Sequence, residues 1–70
     1  MMTEIERAYE LADRYADLTD GYVGVRICRY RFPFTNQVDI DYVLTAQSLV
    51  NPISFASLNA LIKRLEELLK

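Results

Sequence analysis

The amino-acid sequence predicts a small α+β domain in the order α-β-β-α, an antiparallel β-hairpin packed against two helices and extended to a larger sheet by homodimerisation. Three observations carry that expectation. Apolar residues recur at helical spacing over residues 5–16. Two runs rich in β-branched and aromatic residues flank Pro33-Phe34-Thr35-Asn36. A second helical repeat fills the chain from Asn51 onward.

Thr3 and Glu6 stand at capping-box spacing ahead of the first helix, where the hydroxyl accepts an early backbone N–H and the carboxylate reaches back to the cap. Ile5, Ala8, Tyr9, Ala12, Tyr15 and Ala16 form the apolar stripe, widened by Leu11 and Leu18. Glu4, Glu6, Arg7, Glu10, Asp13, Arg14 and Asp17 take the opposite face. Glu10 and Arg14 make a favourable i,i+4 pair worth a few tenths of a kcal/mol. Asp20-Gly21 ends the helix, with Gly21 expected in the left-handed position just past it.

Tyr22–Phe32 and Val38–Leu44 read as strands with a hairpin loop at residues 33–36. A four-residue loop pairs Phe32 with Gln37, which sets Val25 beside Leu44 and Ile27 beside Tyr42. A two-residue loop at Thr35-Asn36 keeps the same faces together, whereas a change of one residue would oppose apolar to polar positions throughout. The core face is then Val23, Val25 and Ile27 with Ile40, Tyr42, Leu44 and Ala46. Arg26, Cys28 and Tyr30 share the other face with Asp39, Asp41 and Val43. Toward the tip the alternation reverses, because Arg29 and Arg31 fall in line with the core residues. Either a β-bulge switches the faces or the tip projects past the helices, and the projecting tip is preferred.

Asn51-Pro52 supplies an N-cap and an N1 proline for the last helix. Phe55, Leu58, Ile62, Leu65 and Leu69 follow at spacings of three and four, broadened by Leu61 and Leu68, with Lys63, Arg64, Glu66, Glu67 and Lys70 on the far side.

Seventy residues are expected to form one domain, residues 1–70. A chain of this size buries only about 60% of its unfolded surface, and its core supplies about 3–5 kcal/mol. Cys28 is the single cysteine, so no disulfide forms within the chain, and one Cys with no His argues against zinc. No cofactor is expected. Self-association or a protein partner is the natural supplement. At 51% apolar and 26% charged the composition is that of a globular chain. A net charge of −2 argues against a dedicated polyanion binder. The apolar runs are too short for a membrane span or a secretory signal, so a cytoplasmic location is expected.

Catalysis is poorly served. Without His the usual general base is missing, and Cys28 has no imidazole to activate it. Asp39 and Asp41 lie two apart on one strand face and read as cross-strand partners of Arg26 and its neighbours, ahead of a carboxylate pair or weak cation site. Gly21 and Gly24 lack the motif of a phosphate loop. Binding is better served. Phe32-Pro33-Phe34 places two rings at a turn beside Arg29 and Arg31, the composition of a binding hot spot if the rings stay exposed. The same arginines interleaved with aromatics form the alternative, an RNA- or DNA-binding ribbon. Asp17 and Asp20, at the end of the first helix where the macrodipole disfavours negative charge, mark a second surface suited to a basic partner. In size and charge the chain looks like small bacterial or phage accessory proteins that inhibit or modulate a host protein.

Overall fold

A computed structural model describes residues 2–70, with helix α1 (Glu4–Thr19), strands β1 (Val23–Phe32), β2 (Gln37–Ala46) and β3 (Ile53–Phe55), and helix α2 (Leu58–Leu68). The fold is α+β in the order α-β-β-β-α. The sheet runs β1-β2-β3 with both neighbouring pairs antiparallel.

Thr3 caps α1 as its position predicts. Its Oγ1 accepts the Glu6 N–H at 3.2 Å and donates to the Glu6 carboxylate at 2.9 Å, so the carboxylate meets the cap's hydroxyl rather than its backbone N–H. Glu10 takes the Arg14 guanidinium at 2.6 Å. At the other end Asp20, not Gly21, adopts the left-handed conformation, with φ 55°. The Gly21 N–H then returns to the Ala16 carbonyl at 3.2 Å, closing the helix end. Aspartate tolerates this conformation better than most side chains. The space at Gly21 is limited instead by Gln47, 2.9 Å from where a Cβ would stand.

The hairpin holds the predicted register without a bulge, from Val23 opposite Ala46 to Phe32 opposite Gln37. Val25 meets Leu44 and Ile27 meets Tyr42. The expected two-strand sheet gains a third member, because Ile53–Phe55 pairs with the free edge of β2 at Tyr42–Leu44. The last helix consequently starts at Leu58, not at Asn51-Pro52. Ser57 is its cap and accepts the Ala60 N–H at 3.2 Å. The alternation of Ile53 and Phe55 around Ser54 suits a strand, and pairing with β2, which half-buries both side chains and packs Phe55 against the core, outweighs the Asn-Pro start signal. Pro52, with no N–H to donate, sits just before this edge strand, where none is missed.

The helices cover one face of the sheet. Leu11 of α1, Leu44 of the central strand, and Leu61 and Leu65 of α2 are the largest fully enclosed side chains. Val23, Val25 and Tyr42 pack against this cluster, but Ile27 and Ile40, expected in the core, are exposed. Tyr9 and Leu18 of the predicted helical stripe are exposed as well. Val43, assigned to the solvent face, is buried outside that cluster, since it lies on the central strand between Arg26 and Ser54. Core contact along the hairpin ends near Val25 and Tyr42. Beyond them the two strands continue as an arm, Ile27–Phe32 and Gln37–Asp41, roughly 20 Å long at the usual rise per residue.

Candidate functional site

The arm's chemistry follows from its register. Successive side chains alternate between faces, so Arg29 lies opposite Ile40 and Arg31 opposite Val38 on the face that continues the core side. With Ile27 they make a basic and apolar surface, every member of which is exposed. The other face pairs Tyr30 with Asp39, Cys28 with Asp41 and Phe32 with Gln37. It is acidic and aromatic. Gln37 Nε2 donates to the Asp39 carboxylate at 3.2 Å. The Cys28 thiol, two residues along the same face, raises the Tyr30 phenol above its ordinary range; Asp41 adds to the effect and Arg26 opposes it.

At the tip, Thr35 N–H donates to the Phe32 carbonyl at 3.2 Å, closing a turn with Pro33 in the position its fixed φ suits. Asn36 takes the left-handed conformation that returns the chain to β2, and Gln37 N–H reaches Thr35 Oγ1 at 3.3 Å. This loop holds Phe34 wholly in solvent, 100% exposed, with Phe32 and Tyr30 each about half exposed behind it. Of the alternatives open to the two rings, folding back onto the core is the one the structure does not adopt.

The register also separates charges that the sequence interleaves. Arg29 and Arg31 lie on the face opposite Asp39 and Asp41, and Arg26, which shares the acidic face, makes no ion pair with them. Among the described residues the ion pairs within 4 Å are Arg7–Glu10, Arg14–Glu10 and Arg64–Glu67, all on the helices. The expected neutralisation of the arginines by the neighbouring strand is thus absent. By the same geometry the rings of Tyr30 and Phe32 do not flank the Arg29 and Arg31 guanidiniums, as a base-stacking ribbon would require.

Asp17 on α1 and Asp20 just past its end are exposed, outside the arm. Asp17 continues a stripe of Glu6, Tyr9 and Asp13, spaced by three, four and four residues, and the left-handed Asp20 follows at its end; none of these carboxylates is in an ion pair among the described residues. Arg7 and Arg14 lie on the other flank, paired with Glu10. No basic residue occupies the last turn of α1.

The predicted site residues therefore fall into three groups: Arg29 and Arg31 on one arm face, Phe32 on the other with Phe34 at the tip, and Asp17 and Asp20 on the helix. Sequence reasoning missed Ile27, Val38 and Ile40 as exposed members of the arm. Their signal was the reversal of alternation at Arg29 and Arg31, since a strand with charges on its core side has left the core. No cluster of three metal-ligating side chains occurs among the described residues. A shallow depression among Lys63, Glu66, Glu67 and Lys70 draws on one helix and its end, unlike the concave sites that take small molecules. No protein family, curated protein or solved structure matches the chain.

Proposed function

We propose that the protein is a non-enzymatic recognition module that binds a protein partner through the tip of its β-arm. The observation that carries this reading is Phe34, fully exposed on a loop held by Pro33 and a turn hydrogen bond. The turn already constrains the backbone that carries the ring, so docking orders less of the loop, and Phe32 and Tyr30 stand behind it for a partner to bury. Size and acidity fit a small cytoplasmic accessory protein of a bacterium or phage that inhibits or modulates a host protein. Homodimerisation belongs to the same reading, since β1 and β3 each leave an unpaired edge and the core is small.

The test compares wild type with Phe34→Ala in pulldowns from a host extract, followed by melts and binding isotherms on the captured partner. Phe34→Ala is expected to weaken binding by more than about 1 kcal/mol, roughly fivefold, with its melt unchanged. Arg29→Ala should act in the same direction with a steeper dependence on salt. An unaltered Phe34→Ala isotherm would move the site to another surface.

One observation favours a second reading, nucleic-acid binding: Arg29 and Arg31 are adjacent on one face and free of ion pairs. Its mark is an affinity for bare RNA or DNA that falls steeply as salt rises.

A further inference from the structure

We propose that the basic, apolar face of the arm docks on the acidic flank of α1 in a second copy of the chain, reciprocally, so that two chains exchange arms. The inference rests on the self-association in the reading above and assigns its surface. Ile27, Val38 and Ile40 stand exposed around Arg29 and Arg31, on the side of the sheet that the helices cover further back. A complement to this face must offer carboxylates beside apolar groups, along a comparable length. The α1 stripe does so. Glu6, Asp13, Asp17 and Asp20 are exposed along it, with Tyr9 between them and Met2 exposed at its start.

The lengths agree. Glu6 to Asp20 spans roughly 20 Å at the helical rise, as does the arm at the strand rise. The signs agree as well. No cation on α1 answers Asp17 and Asp20, which sit where the helix dipole opposes negative charge, and no carboxylate lies within ion-pair distance of Arg29 or Arg31 among the described residues. Each chain owns one arm and one flank, which is what a reciprocal contact about a two-fold axis requires, and such a contact closes the assembly. Counting both contacts and both sides, arms roughly 20 Å by 10 Å give a footprint of about 800 Å², the size of a weak, concentration-dependent dimer. The strand edge is the poorer route, because β1 carries Arg26, Arg29 and Arg31, charges of the kind that keep edges from pairing. Phe34 and the aromatic face remain open for another partner.

Sedimentation equilibrium on wild type, Arg29→Glu/Arg31→Glu, Asp13→Arg/Asp17→Arg and an equal mixture of the two variants tests the contact. Wild type is expected to dimerise, each variant alone to dimerise at least about tenfold more weakly, and the mixture to recover wild-type affinity within about threefold. All four positions are exposed, and circular dichroism melts check that each variant folds. Should a reversal unfold the chain, Arg29→Gln/Arg31→Gln and Asp13→Asn/Asp17→Asn read the same contact, each with an expected loss of about threefold. A wild-type monomer up to about 100 µM would overturn this contact together with self-association itself. Variants that dimerise like wild type would overturn the contact alone and direct attention to the open edges of β1 and β3. Variants that lose dimerisation without recovery on mixing would overturn it too.

Discussion

The two ends of one hairpin share a register and differ in what stands against them. At the base, Leu44 opposite Val25 is 0% exposed beneath the helices; four residues along β2, Ile40 opposite Arg29 is 43% exposed. Both ends alternate side chains and run through an unbroken ladder. The difference lies in the neighbours. Pairing satisfies the backbone at either end, but a side chain leaves water only where another layer covers it. At the arm, apolar residues on the core side of the sheet stay at the surface instead of entering the core.

Truncation at the base is expected to have the largest effect. Leu44→Ala and Leu65→Ala, each emptying a fully enclosed position, should cost about 2–5 kcal/mol in denaturant melts. Ile40→Ala, on the same strand as Leu44 but out on the arm, should cost less than about 1 kcal/mol, since its side chain already meets water. Equal losses at Leu44 and Ile40 would mean that the arm is covered. A smaller effect sharpens where the covering layer begins. Ser57→Ala removes the α2 cap and should cost about 1 kcal/mol, whereas Asn51→Ala, ahead of β3, should cost only a few tenths. The reverse order would restore the longer helix and remove β3. The smallest change expected is at Glu67→Ala, on the outer face of α2, at about half a kcal/mol or less. A loss there matching Leu65→Ala would place the wrong face of α2 on the sheet.

Much of the fold was legible because its causes are local. The Thr3 cap, the Glu10–Arg14 pair and the apolar spacing of α1 depend on residues within two turns of one another. The hairpin register follows from loop length and alternation, which bring Phe32 opposite Gln37 with no help from the rest of the chain. The third strand was not legible, because Ile53–Phe55 is too short to show a period and acquires its partner only from the free edge of β2. The site was legible in part. Phe34 at the turn and the placement of Arg29 and Arg31 on the core side were within reach of the pattern. The exposure of Ile27, Val38 and Ile40 was signalled only indirectly, by Arg29 and Arg31 on the core side, because β-branched residues at alternate positions read the same whether or not a helix covers them.

Short-range patterning therefore set α1, the body of α2 but not its start, the two long strands and which side chains of the hairpin share a face. These depend on backbone periodicity, caps and turn chemistry, all short-range. Where the helical layer stops, and with it which apolar residues are buried at the base and which stand free on the arm, was set by long-range packing. Coverage depends on segments distant in the chain: α1 from before the hairpin and α2 from after it meet over the same part of the sheet, around Leu44, and leave the rest to solvent.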